Sequence, residues 1–117
     1  MQLPNTENAF VSEEKLTQYL LNLAHDEGGS KARFFLRFGF SIAEWKVLAE
    51  ALKQHALKYD IIKTEITLFG TRYVIEGKLQ TPINRELFIR VVWFVRTHEE
   101  IPRFVTAYPV EEDSDDS

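Results

Sequence analysis

Between Glu86 and Val110 the chain reads ELFIRVVWFVRTHEEIPRFVTAYPV, two strand-like runs joined by a short polar turn. Along the first run, expected as a strand from Glu86 to Arg96, Leu87, Ile89, Val91, Trp93 and Val95 alternate with Phe88, Arg90, Val92, Phe94 and Arg96. Successive side chains of a strand point to opposite faces, so the first row is one continuous apolar face that needs a covering layer. Upstream, Tyr73, Ile75 and Leu79 alternate with Arg72, Val74, Glu76 and Lys78, and Thr81-Pro82-Ile83-Asn84 supplies a turn between the two strands. A further strand is expected from about Arg103 to Val110. Ile61 to Leu68 reads as either a strand or an extended lead-in, with a turn or bulge at Phe69-Gly70.

The covering layer is found in the first half of the chain. Ser12 offers an N-cap to a helix over residues 13–23, with Leu16, Tyr19, Leu20 and Leu23 on one face. Ser30 can cap a second, aromatic helix from Lys31 to Phe38, stopped by Gly39. Phe34, Phe35 and Phe38 cover more than one of its sides, which predicts that it is largely buried. Ser41-Ile42-Ala43-Glu44 has the form of a capping box for a third helix reaching about Lys58, with Ile42, Trp45, Leu48, Leu52 and Ala56 as its seam and His55 at the boundary. Ala9 to Val11 could add an edge strand or simply pack on the body. The expected fold class is therefore α+β: three N-terminal helices packed on one face of a three- to four-stranded antiparallel meander sheet.

With 117 residues, 44% of them hydrophobic, the chain is long enough for a single core. A single domain is expected over residues 1–110. With no cysteine, disulfides and thiolate metal sites are excluded. The N-terminus MQLPNTENAFV has neither a basic start nor a long apolar run, which leads us to expect a soluble, cytoplasmic protein with no membrane partner. The formal charge is −4, yet Glu111, Glu112, Asp113, Asp115 and Asp116 carry five of the 18 acids in a tail expected to be disordered. Without it 13 acids face 14 Lys and Arg, so the acidic total does not argue against a nucleic-acid partner, and no strongly basic stripe argues for one.

The mixed strand row is where function is expected. If the rows of neighbouring strands share a face, Arg90, Thr106 and Tyr108 stand together beside Phe88, Phe94 and Phe104, with Arg72 nearby. Such a face suits a planar ligand, a base or a partner chain, and it could equally be covered by the N-terminal arm or a partner subunit. Across the chain, His25, Lys31, Arg90, Thr106 and Tyr108 form the set that metal-free RNA cleavage requires. A base takes the 2′-hydroxyl proton, an acid protonates the leaving oxygen, and cations hold the phosphorane charge. His25 would serve as acid or base, Lys31 and Arg90 would hold the phosphate, and Thr106 and Tyr108 would orient it.

Other chemistries fare less well. His25, His55 and His98 are scattered and show no metal-ligand spacing, so neither a metal nor a cofactor is expected. Gly28-Gly29 lacks a phosphate-loop pattern. Asp60 with Glu76 and Lys78 is reminiscent of Mg²⁺-dependent nucleases, but an acid and a lysine two apart on a strand also arise as a solvated ion pair.

The segments LPNTENAFVSEEKLTQYLLN, HDEGGSKARFF, FGTRYVIEG, IRVVWFV and PRFVTAYP resemble a family of small uncharacterised bacterial domains that occur alone and as C-terminal modules of polymorphic toxins. Asp26 stands where many members have Pro, and Ile83-Asn84 where many have a Gly-rich turn. Membership of toxin modules implies an effector, often a nuclease, and the layout is similar to that of metal-independent toxin ribonucleases. The resemblance leaves two expectations open. One is such a ribonuclease or an inactive relative, acting on RNA. The other is a non-catalytic interaction or regulatory module that binds a small immunity-type protein through the sheet face. The sequence fixes no oligomeric state.

Overall fold

The computed structural model describes residues 1–25 and 29–111. Asp26 and residues 112–117 of the acidic tail lie outside the described residues. A 3₁₀ turn at Thr6–Asn8 and a π-helical segment at Lys15–Leu20 precede α1 (Gly29–Arg37) and α2 (Trp45–Lys58). The strands β1 (Ile61–Thr67), β2 (Gly70–Gln80), β3 (Glu86–Arg96) and β4 (Arg103–Pro109) follow as one antiparallel sheet in the order β1-β2-β3-β4. The α+β class and the meander match expectation, and Ile61–Thr67 is a strand.

The helical layer differs from expectation: among the described residues two α-helices, not three, precede the sheet. Ser12 does cap the first helical segment, accepting the Lys15 backbone N–H at 3.3 Å. The chain then winds wider, with the Leu21 N–H reaching the Leu16 carbonyl, a five-residue step that makes a π turn. Leu16 and Leu20 are both buried against the sheet, while Tyr19 sits at the margin.

Helix α1 ends at Gly39, whose φ of 97° is easily reached only by glycine. Its N–H bonds the Leu36 carbonyl and the Phe40 N–H bonds that of Phe35, while the Phe35 and Phe40 rings pack 6.2 Å apart. This is a Schellman ending with its apolar contact. The helix is amphipathic rather than largely buried: Ala32 and Phe35 face the core, and Phe34 is exposed. Ser41 accepts the Glu44 N–H at 3.2 Å, and α2 begins only at Trp45, later than the capping box suggested. Its buried face is Leu48, Leu52 and Ala56, joined by His55, which is 2% exposed and so is a core residue rather than a boundary one.

The apolar row of β3 meets this layer as expected, with Leu87, Ile89, Val91 and Trp93 buried. Strand β4 departs from simple alternation. A bulge beside Val92 and Trp93 brings Trp93 opposite Phe104 while Val92 faces Thr106. The extra residue flips the start of β4, so Phe104 turns into the core and packs edge-on to Trp93 at 5.9 Å. The N-terminal arm closes this end. Phe10 forms a parallel bridge with Arg103, its N–H reaching the Pro102 carbonyl and its carbonyl accepting the Phe104 N–H.

Among the described residues, no helix is long and apolar enough to cross a membrane.

Candidate functional site

The site is built where α1 and the π turn meet β4. Ala32 and Phe35 anchor α1 in the protein interior, which leaves Lys31 directed along the β4 margin. Lys31 Nζ donates to the Tyr19 phenol oxygen at 2.5 Å and to Thr106 Oγ1 at 3.3 Å, and the two oxygens are themselves 3.0 Å apart. One ammonium and two hydroxyls thus form a closed triangle contributed by three separate elements. The ammonium also lies 5.1 Å from the Tyr19 ring centroid and 5.7 Å from that of Tyr108, within cation–π range of both.

Arg90 approaches Tyr108 from β3. Strand register pairs Arg90 with Tyr108 on one side and with Glu76 on the other. Its Nη1 donates to the Tyr108 hydroxyl at 3.4 Å, its carbon centre lies 5.8 Å from the ring centroid, and its Nε donates to Glu76 at 2.6 Å. A second guanidinium nitrogen pairs with the same carboxylate oxygen. Hydrogen bonding to Tyr108 and then to Glu76 raises the Arg90 pKa above its ordinary value. Tyr108 therefore stands between two cations, one tied to a carboxylate. Among the described residues, Lys31 has no carboxylate in ion-pair reach.

The Tyr19 phenol is tuned by this setting. Burial alone pushes its pKa up, but the hydrogen bonds from Lys31 and Thr106, and the charges of Lys31 and Lys15, outweigh it and leave the pKa below 10.0. His25 completes the group, its ring standing edge-on to Tyr19 with centroids 4.9 Å apart. An open cleft of about 330 Å³ lined by Ser30, Lys31, Phe34, Tyr108 and Pro109 gives access from solvent.

The five residues read from the sequence as a catalytic set are linked in a chain of contacts, His25 through Tyr19 to Lys31 and Thr106, and Lys31 through Tyr108 to Arg90. Tyr19 and Glu76 were missed as members. In the sequence Tyr19 reads as one apolar position among leucines, although a Tyr in a Leu row is itself a hint of a polar contact at a core margin. Glu76 was legible in principle, because folding the two long strands about Ile83 sets position 76 opposite position 90.

The expected binding residues divide. Phe88, Phe94 and Arg72 lie half-buried on the face opposite the helices, and Phe104 does not, having been turned into the core by the bulge. Nor is that face an open aromatic surface. Glu65 pairs with Arg72 at 2.7 Å and Lys78 with Glu86 at 3.8 Å, and among these long side chains Val74 and Val92 are 4% and 0% exposed. The Arg72 hydrogen bond, with Lys63 nearby, lowers the Glu65 pKa. Asp60 stands 3.9 Å from the N-terminal amine and Glu76 belongs to Arg90, so each of these carboxylates faces a cation of the protein itself. Among the described residues, no group of three or more His, Asp or Glu could hold a metal ion.

Against solved structures, the fold is similar to a chain of the contact-dependent growth inhibition toxin–immunity protein complex from Klebsiella pneumoniae 342. The TM-score is 0.70 at 21% identity, over 92% of this chain and 97% of that one, a likeness of fold. No curated protein matches the chain. The profile of one family, described as a domain of unknown function, DUF6883, matches residues 2–111, and the chain belongs to that family.

Proposed function

We propose that the chain is a toxin-type effector domain that cleaves RNA without a metal, at the Lys31–Tyr19–Thr106–Tyr108–Arg90 cluster. The observation that carries this reading is a chain of contacts that links a histidine, a phenol of lowered pKa and two cations, with Lys31 and Tyr108 opening onto a cleft. Metal-free cleavage moves one proton from the 2′-hydroxyl to a base while the 2′-oxygen attacks phosphorus. The bond to the 5′-oxygen breaks as that oxygen takes a proton from an acid. Tyr19 and His25 are the groups here that exchange protons, and Lys31 and Arg90 are the charges that stabilise the phosphorane. The likeness to a chain of a toxin–immunity complex supports the toxin context, as does the resemblance to C-terminal toxin modules. If so, expressing the domain in bacteria arrests growth, and Lys31→Ala or Arg90→Ala relieves the arrest. Equal arrest by the variants removes the reading.

A protein partner is a second reading that the toxin–immunity complex favours. The apolar exposure for it lies away from the sheet face, at the β1–β2 hairpin, where Leu68 and Phe69 are 91% and 79% exposed. Co-expressing the domain with the product of a neighbouring gene tests it: the pair should co-purify, and Leu68→Ser with Phe69→Ser should separate them. A pair that never associates counts against it.

A further inference from the structure

A second cleft, of about 360 Å³, lies beyond the Lys31 site along the same strand, and its walls have a composition that the site does not use. Lys15, Arg96 and Arg103 line it together with the rings of Phe10 and Phe94, and no acidic residue does. Its parts are held firmly. The parallel bridge to β4 fixes the Phe10 backbone, and the Arg103 guanidinium lies 5.9 Å from the Phe10 ring centroid. Among the described residues Glu99 is the carboxylate that pairs with these arginines, 3.4 Å from Arg103 and 4.0 Å from Arg96, which sets one negative charge against three positive ones there. Surplus cations beside aromatic faces are what a phosphate-linked base needs, because the ring stacks the base and the cation holds its phosphate.

The cleft is linked to the Lys31 site through Tyr19. Lys15 lines the cleft and stands 5.4 Å from the Tyr19 ring centroid, on the residue that Lys31 also contacts. Strand β4 runs past both, from Arg103 through Thr106 to Tyr108. Five steps of extended chain cover roughly 17 Å, the reach of several linked nucleotides rather than one. We propose that this cleft is the subsite for nucleotides flanking the scissile bond, which makes single-stranded RNA the substrate class. The inference rests on the RNA-cleaving reading of the Lys31 site. Base stacking on Phe10 or Phe94 is indifferent to base identity, so the subsite supplies affinity and register along the strand rather than sequence choice.

Binding of fluorescent 2′-O-methyl RNA, which cannot be cut, separates this subsite from catalysis. The wild type should bind a hexanucleotide far more tightly than a dinucleotide. Phe10→Ser should weaken the hexanucleotide about fivefold or more. Arg96→Ala should weaken it too and lower the slope of log affinity against log salt by about 0.7, one phosphate contact. Neither should alter dinucleotide affinity. Arg96 is largely exposed, so its truncation tests the idea even if Phe10→Ser fails to fold. Unchanged hexanucleotide affinity and salt slope in Arg96→Ala overturn the subsite, even if the protein cuts RNA normally. Conversely, variant-sensitive hexanucleotide binding by a protein that leaves ordinary RNA uncut keeps the subsite and removes the cleavage reading. A wild type that neither binds nor cuts removes both.

Discussion

Lys31 donates a 2.5 Å hydrogen bond to the phenol of Tyr19, and that contact joins a helix and a π turn to the margin of the sheet. Against the upward push of burial it also helps to lower the pKa of the phenol, because an ammonium beside an oxygen favours the phenolate. Ultraviolet titration of the wild type against Tyr19→Phe should therefore identify one tyrosine ionising below the ordinary value. In Lys31→Met that pKa should move back up. If it stays put, the contact does not tune the phenol.

Arg90 and Glu76 make a pair whose side chains are 38% and 23% exposed. A partly exposed pair contributes little to stability, so Glu76→Gln should change the urea-unfolding free energy by less than about 1 kcal/mol. Its effect should fall on function, since Arg90 loses the partner that holds it against Tyr108. RNA cleavage should drop while the unfolding midpoint barely moves. A large loss of stability would show instead that the pair supports the fold.

His55 is a buried base, and among the described residues neither of its ring nitrogens has a well-formed hydrogen bond. Burial lowers its pKa from 6.5 to about 4, and the nearby backbone of Gly77 and Ile89 offsets only part of that. Because the folded state binds the proton less well than the unfolded chain, its stability is complete above about pH 6.5 and is lost as pH falls toward 4. The loss is on the order of 3 kcal/mol. Urea unfolding between these pH values should show this slope in the wild type, and His55→Leu should lack that component. Parallel curves for the two proteins would contradict it.

Gly77 on β2 lies beneath the Tyr59 ring, which occupies the space where a Cβ would stand. Gly77→Ala should cost about 1–3 kcal/mol through overpacking. Adding Tyr59→Ala should make the double variant less unstable than the two single losses combined, and simple additivity would show that the two do not clash.

The strands were legible because period-two alternation survives wherever a sheet has one packed face, and β3 was placed to the residue. The flip at Phe104 was not, because a bulge inserts one residue without altering composition and thereby moves an aromatic from the outer face to the core. The same limit applies to the first helix: Leu16 and Leu20 fit an α-helix and a π turn alike, and the five-residue hydrogen-bond step, as from Leu21 to Leu16, distinguishes them. For the site, residue type identified His25, Lys31, Arg90, Thr106 and Tyr108. Their closure into one cluster depended on Tyr19, whose hydroxyl is invisible to a reading that scores it as apolar.

Incubating the purified domain in EDTA with a single-stranded RNA, and with the same sequence as DNA, tests the central claim most directly. The RNA should be cut to products ending in a 2′,3′-cyclic phosphate. The DNA, which has no 2′-hydroxyl, should remain whole, and Lys31→Ala should lose at least about a hundredfold in rate. RNA that stays intact, or a Lys31→Ala protein that cuts as fast as the wild type, would contradict the account.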